Sequence, residues 1–106
     1  MRVLKQKTEI LSALRSSDKC VLKCYATWCQ PCMVIAPFVG ELSDEYADIP
    51  FYKINVDDID DNSLSSMLKV RVLPTILCFV GGTEVDRIEG ANTTSIREMV
   101  EKLHKR

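Results

Sequence analysis

Two cysteines separated by two residues, Cys29 and Cys32, are the side chains of this sequence whose type and spacing most directly allow chemistry. They lie between an apolar run that ends near Ala26 and a helical pattern that begins near Cys32. The N-terminus of a helix carries unpaired N–H groups and a partial positive charge, so a thiolate placed there is stabilised. Pro31 suits a first helical turn, where its missing N–H costs no hydrogen bond. We therefore predict dithiol–disulfide chemistry, with Cys29 as the exposed nucleophile and Cys32 as the more buried resolving thiol.

The same cysteine spacing also occurs in half of a zinc site, which needs two further Cys or His ligands. The single histidine, His104, lies near the C-terminus, and Cys20, Cys24 and Cys78 occur singly in predicted strands. A structural metal and an incidental cysteine pair therefore remain minor alternatives, and we expect no metal site. Cys24 and Cys78 fall on strands that should be neighbours, so a buried pair between them is a minor alternative to free thiols packed as small apolar side chains.

The elements that position the two thiols are predicted from hydrophobic periodicity. Strands are predicted at residues 3–4, 20–26, 51–56, 75–80 and 84–89, and helices at residues 8–15, 33–46, within 57–68, and after Gly90 with Asn92 or Ser95 as the cap. The run 20–26 is apolar except for one lysine, so we expect a central strand buried on both faces. This order predicts an α/β fold in which a central mixed β-sheet of about five strands is sandwiched by about four α-helices.

Length and composition limit the class of protein further. The chain has 106 residues, 46% hydrophobic and 27% charged, which indicates one folded domain over residues 1–106 rather than disorder. The formal net charge of -1 gives no reason to expect nucleic acid or an anionic membrane as a partner. The N-terminal segment turns polar too early for a signal peptide, and the longest apolar run is too short to span a membrane. Five cysteines cannot all pair within one chain, so we expect a reducing, cytoplasmic location.

The segments around the cysteine pair resemble the thioredoxin family. Residues 26–32, Ala-Thr-Trp-Cys-Gln-Pro-Cys, followed by Ala36-Pro37, are similar to the family's active-site segment. Residues 53–57 resemble its third strand, residues 72–75 resemble the loop whose proline is cis and faces the disulfide, and residues 90–92 resemble the turn before the last helix. The resemblance covers essentially the whole chain and implies the thioredoxin fold.

By this resemblance, Cys29 attacks a substrate disulfide and Cys32 resolves the mixed disulfide. The residues that would form a shallow substrate-binding surface around Cys29 are Trp28, Val72, Leu73, Pro74, Gly90 and Ala91. Purely structural roles remain open for Trp28, in core packing, and for Pro74, at the entry to a strand.

The resemblance also implies partners and a cofactor state. We expect disulfide-containing protein substrates, a thioredoxin-reductase-like electron donor, a monomer, and no bound cofactor beyond a redox-active Cys29–Cys32 disulfide. Two other functions stay open: an oxidant or isomerase-like relative with a less negative reduction potential, and a weakly active binding module.

Three departures from the family's pattern bear on redox tuning. Gln30 replaces a glycine within the motif, and Met33 replaces the lysine that usually follows it. Lys23 stands where the family has a buried Asp that exchanges a proton with the resolving thiol, and Lys53 matches the lysine that accompanies that Asp. Two like charges partly out of water are unfavourable, so one side chain should reach solvent or lose its proton. We expect Lys23 to bend outward as a solvated residue; the functional alternative is that it tunes the resolving thiol.

Overall fold

A computed structural model of the chain describes residues 1–59 and 64–106. Its strands are β1 (Arg2–Val3), β2 (Lys19–Tyr25), β3 (Phe51–Asn55), β4 (Thr75–Val80) and β5 (Thr83–Glu89). Its α-helices are α1 (Lys7–Ser16), α2 (Gln30–Glu45) and α3 (Thr93–His104), and two short helical segments are a 3-10 turn at Val56–Asp58 and a π-helical turn at Leu64–Leu68. The predicted loop and helix within residues 57–68 lie partly outside the described residues.

The strands form one mixed sheet in the order β1-β3-β2-β4-β5, which confirms the predicted architecture. β1, β3 and β2 run parallel, whereas β4 is antiparallel to β2 and β5 is antiparallel to β4. β2 is the middle strand, and its neighbouring residues Val21 and Leu22 are fully buried on opposite faces. β2 and β3 are parallel, and their last residues, Tyr25 and Asn55, are register partners. Both strands therefore end at the same edge of the sheet, from which α2 follows.

Helices cover both faces of the sheet. α1 packs against one face through Ile10, Ala13 and Leu14, in a cluster that includes Leu22 and Leu77. α2 and α3 cover the other face, where the buried residues of the two helices are Ile35, Val39, Leu42, Ile96, Met99, Val100 and Leu103. The sheet is therefore held rigidly between two apolar layers, and it gives the loops at its edge fixed positions.

Helix boundaries differ from the prediction at one informative place. α2 begins at Gln30 rather than at residue 33, because Cys29 serves as its N-cap. At α3 the side chain of Asn92 accepts a hydrogen bond from the backbone N–H of Ser95 at 3.0 Å, so Asn92 is the cap and Ser95 lies inside the helix. Apart from the segment 57–68, the other predicted boundaries agree with the structure to within one residue. The early start of α2 matters for function, since it places the cysteine pair directly on the helix N-terminus.

The three cysteines outside the pair are free and buried. Cys24 lies in the cluster beneath α1, whereas Cys78 lies in the cluster beneath α2 and α3. Successive side chains of a strand point to opposite faces, and in the observed register Cys24 is opposite Thr75 while Cys78 is opposite Val21. The alternative of a buried Cys24–Cys78 pair is therefore wrong.

Burial is expected to protect these three thiols from reagents in the folded protein. It raises the pKa of Cys20 to about 11 and the pKa of Cys24 and Cys78 to about 12, so all three stay protonated near pH 8. With Cys29 and Cys32 oxidised, Ellman's reagent should detect almost no thiol until guanidinium unfolds the chain, and then three thiols. Rapid reaction of any of the three in the folded, oxidised protein would contradict the packing described above.

The part of the chain that the structure describes contains no helix long and apolar enough to cross a membrane. The same residues include no group of three or more His, Cys, Asp or Glu side chains that could hold a metal ion. His104 Nε2 lies 3.2 Å from Asp48 Oδ2, and the carbonyl of His104 accepts a hydrogen bond from Lys19 at the start of β2. The histidine is thus at the opposite end of β2 from Cys29.

Candidate redox-active site

Cys29 and Cys32 form a disulfide bond, with their Cα atoms 5.3 Å apart. Cys29 lies in the loop after β2, and Cys32 lies in the first turn of α2. The backbone N–H of Cys29 donates to the carbonyl of Ala26 at 3.2 Å, and the N–H of Met33 donates to the carbonyl of Cys29 at 3.2 Å. These two main-chain hydrogen bonds fix both ends of the loop that carries the sulfur atoms.

The N-terminus of α2 supplies the electrostatic environment of Cys29. Its Sγ accepts a hydrogen bond from the backbone N–H of Cys32 at 3.3 Å, which is the N-cap interaction of the helix. After reduction, a thiolate at the same position keeps this donor and faces the positive end of a 16-residue helix. Such an interaction contributes about 0.3–1 kcal/mol in favour of the anion. The fold therefore favours the nucleophilic form of Cys29.

The two cysteines are buried to different extents. Cys29 is 6% exposed and Cys32 is 1% exposed in the oxidised structure. The prediction of an exposed Cys29 is therefore wrong for this state, because apolar neighbours surround both sulfur atoms; those packed against the pair are Tyr25, Ala26, Val56 and Leu73. The prediction that Cys32 is the more buried of the two is confirmed.

Trp28 stands next to the disulfide as an exposed side chain. It is 70% exposed, so the alternative of core packing is wrong. Its indole N–H donates to Asp57 Oδ2 at 2.8 Å, which fixes the ring beside the cysteines. Gln30 and Pro31 are also exposed, so the tip of the motif faces solvent. Sequence reasoning missed Asp57, although its position two residues after β3 was a usable signal, since parallel β2 and β3 end at the same edge.

The loop before β4 reaches the same edge of the sheet. The Leu73–Pro74 peptide bond is cis, as the resemblance implied, and Pro74 is buried. The side chain of Leu73 packs against the cluster that contains Cys29 and Cys32. Val72 is exposed beside it. Pro74 directly precedes β4, so it stands at the entry to that strand, while its neighbour Leu73 brings the loop against the cysteine cluster.

The turn before α3 is joined to this loop through the main chain. The backbone N–H of Gly90 donates to the carbonyl of Pro74 at 2.8 Å. Gly90 has a φ of +103°, a backbone conformation that residues other than glycine rarely adopt. Ala91 follows as an exposed residue. The structure thus brings the three predicted segments, around Trp28, Pro74 and Gly90, to one edge of the sheet.

Lys23 is buried, and the prediction that it bends outward into solvent is wrong. It is 6% exposed on β2, where its register partners are Lys53 on β3 and Ile76 on β4. Desolvation lowers the pKa of Lys23, and the nearby charge of Lys53 lowers it further. Strand alternation places Lys23 on the same face of β2 as Val21, which packs in the cluster beneath α2 and α3.

Tyr25 connects the two lysines with the disulfide. The Nζ atom of Lys23 lies 5.1 Å from the centroid of the Tyr25 ring, and the Nζ atom of Lys53 lies 5.9 Å from it. The same ring packs against the cluster of Cys29 and Cys32. An aromatic face attracts cations and partly replaces lost hydration. Sequence reasoning missed Tyr25, although strand alternation places it on the same face as Lys23.

The fold and the site together define a class of protein. A redox-active disulfide sits at a helix N-terminus after the central strand, with a cis-proline loop packed against it. Dithiols in such positions exchange with other disulfides through their thiolate form. These features are those of a thiol–disulfide oxidoreductase.

Comparison with known proteins agrees with this class. The family model described as thioredoxin matches residues 3–102. Thioredoxin-2 of Saccharomyces cerevisiae is 40% identical over 98 residues, which cover 92% of each chain. The structure of Plasmodium falciparum thioredoxin superposes with a TM-score of 0.90 at 27% identity, covering 96% of this chain and 98% of that one. The oxidised mitochondrial thioredoxin 3 of Saccharomyces cerevisiae gives a TM-score of 0.89 at 30% identity, covering 97% and 95%.

The chain belongs to the thioredoxin family. Membership carries thiol–disulfide oxidoreductase activity, with disulfides as substrates and a reductase as the general type of electron donor.

Proposed function

We propose that this protein reduces disulfide bonds in other proteins, with Cys29 as the nucleophile and Cys32 as the resolving thiol. The observation that carries this assignment is the asymmetry of the pair. Cys29 caps α2 and keeps the larger exposed surface, whereas Cys32 is 1% exposed within the helix. The thiol that is both stabilised as an anion and reachable is the one that attacks first.

The exchange takes place in two steps. The Cys29 thiolate attacks one sulfur of the substrate disulfide, that S–S bond breaks, and the leaving thiolate takes a proton from solvent. Cys32, after losing its proton, then attacks the Sγ atom of Cys29 and expels the second substrate thiolate. Two electrons have passed to the substrate, and the protein is left with the Cys29–Cys32 disulfide that the structure contains.

The surface around Cys29 supports binding of an extended substrate segment. Trp28 and Val72 are exposed there, and Leu73 packs against the cysteine cluster. Pro74 and Gly90 are fixed to one another by a main-chain hydrogen bond, so the two sides of this surface keep a constant spacing. We assign substrate docking to these residues together with Ala91. The proposed setting is a monomeric single domain in the cytoplasm, reduced by a thioredoxin-reductase-like donor, with no bound cofactor.

A second candidate function is that of an oxidant or isomerase-like relative. The observation that favours it is the buried Lys23 together with the half-buried Lys53, since both approach the ring of Tyr25, which packs against the cysteine cluster. Positive charge near the pair stabilises the reduced form whenever that form carries a thiolate, which makes the reduction potential less negative. About 30 mV corresponds to about 1.4 kcal/mol for this two-electron couple, so a single nearby charge is sufficient to shift the reduction potential measurably.

Reduction of insulin by dithiothreitol tests the proposed activity. We expect the protein, at micromolar concentration, to accelerate the precipitation of insulin B chains well above the rate with dithiothreitol alone. The reason is that the stabilised Cys29 thiolate attacks the insulin disulfide faster than a free thiol does at neutral pH. A rate equal to that of dithiothreitol alone would contradict the proposal and favour a binding module.

A further inference from the structure

A charged groove lies beside the proposed docking surface. Its volume is about 650 Å³, and its lining residues are Lys69, Val70, Arg71, Arg87 and Glu89. Arg71 directly precedes the loop at Val72, and Glu89 directly precedes Gly90. Thr75 and Glu89 are register partners, so the groove runs between the two segments that we assign to substrate docking.

Arg87 is anchored at the base of this groove. Its guanidinium donates to the carbonyls of Leu68 at 2.7 Å and Lys69 at 3.3 Å, and to both carboxylate oxygens of Glu84 at 2.6 and 2.7 Å. The hydrogen bond to Glu84 raises the pKa of Arg87, so the side chain is permanently charged. These bonds neutralise the charge of Glu84 and fix the main chain at Leu68 and Lys69.

Two further cations remain available to a ligand. The Arg71 side chain is 79% exposed, and its single ion pair within the described residues is a loose contact of 3.8 Å with Glu89. Lys69 is exposed and lies within 4 Å of no carboxylate in the described part of the chain. The carboxylate of Glu89 is shared between Arg71 and Arg87, since Arg87 also approaches it at 3.9 Å. The groove therefore has a local surplus of positive charge on a protein whose formal net charge is -1.

We propose that this groove is a specificity subsite that accepts an acidic side chain of the substrate, close in sequence to the substrate cysteine. The proposal rests on the protein disulfide reductase function given above. A carboxylate entering beside Val72 meets Lys69 and Arg71, and Arg71 can form a bidentate pair with it. A basic side chain in the same position meets the same two cations and is disfavoured. Discrimination by exposed charges acts mainly on association and weakens with salt.

Two disulfide-linked peptides that differ only in the residues flanking the cysteine test this subsite, one with Glu and the other with Lys. At low ionic strength we expect kcat/KM to favour the acidic peptide by about tenfold, from two exposed pairs of ordinary strength. The double variant Lys69→Glu, Arg71→Glu should lose or reverse this preference. The matched control is Lys102→Glu, Lys105→Glu, which makes the same change in charge near the far end of α3 and should keep the preference.

The ratio between the two peptides is independent of how much active enzyme each variant contains, so partial misfolding does not affect it. Equal kcat/KM values for both peptides with the unaltered protein would overturn the subsite, as would an equal loss of preference in the control. The preference should also fall as sodium chloride is raised to 0.5 M, and a constant preference would equally contradict the proposal. Failure of the reductase function itself has a different signature, since neither peptide would then be reduced at any salt concentration.

Discussion

Serine in place of Cys29 is expected to abolish disulfide reduction, whereas serine in place of Cys32 is expected to stop the reaction after one step. Without Cys29 the thiol that caps α2 is lost, and the remaining sulfur, that of Cys32, is only 1% exposed and cannot easily reach a substrate disulfide. Without Cys32 the first attack still occurs, but nothing displaces the substrate from Cys29. The Cys32→Ser variant should therefore accumulate about one equivalent of mixed disulfide with a protein substrate.

Non-reducing electrophoresis and intact mass measurement distinguish the two variants. The matched control is Cys20→Ala, which removes a buried thiol at the opposite end of β2 and should keep full insulin reduction. A mixed disulfide that forms with Cys29→Ser but not with Cys32→Ser would show that the roles of the two thiols are the reverse of those proposed. Full activity in either variant would contradict the two-thiol mechanism altogether.

Much of this fold follows from local sequence patterns. The apolar stripe of α3 has a period near four residues, and the run 75–80 is rich in β-branched and apolar residues between a proline and two glycines; both elements form where they are predicted. The two-face burial of β2 was also predictable, because an apolar strand with one lysine suits the middle of a sheet. Local pattern and global fold agree along this chain, as expected for a sequence that encodes one structure.

Features of the site that depend on tertiary packing could not be predicted from local sequence patterns. The burial of Cys29 arises from Leu73 and Val56, which come from two other segments of the chain. The hydrogen bond from Trp28 to Asp57 joins residues 29 positions apart. Neither contact leaves a periodic signal, and the sequence around Cys29 alone resembles that of an exposed loop. The helix start at Gln30 was missed for a related reason, since the capping residue is a cysteine rather than Ser, Thr, Asp or Asn.

The burial of Lys23 is the feature of the site that differs most from the sequence-based prediction. A lysine in a strand is ordinarily solvated, and its long side chain can reach water from a half-buried position. Here both neighbouring strands and the helical layer above enclose it, and Lys53 occupies the adjacent register position. No ion pair to Lys23 is formed among the described residues, so its charge is balanced mainly by the face of Tyr25. An uncompensated buried cation is costly, and this one approaches Tyr25, which packs against the cysteine cluster, so we expect it to affect the redox site.

The direction of that effect follows from the charges of the two redox states. The Cys29–Cys32 disulfide is neutral, whereas the reduced pair carries a negative charge whenever one thiol is ionised. A cation near Tyr25 therefore lowers the free energy of the reduced form more than that of the oxidised form. Lys53 contributes in the same sense from β3, at 5.9 Å from the same ring. The protein should consequently be a stronger oxidant than a variant that lacks the Lys23 charge.

Lys23→Met, which removes the charge with little change in length, is expected to make the reduction potential more negative by about 10–20 mV at pH 7, since tenfold in the equilibrium constant is about 30 mV. Lys23→Asp should shift the potential further in the same direction, because it reverses the sign of the charge. Equilibration with glutathione buffers and quantification of the reduced fraction give both values. Lys102→Met, at the far end of α3, is the control and should leave the potential unchanged. An unchanged or less negative potential in Lys23→Asp would exclude Lys23 as a determinant of the potential and, with it, the structural reason for an oxidant function.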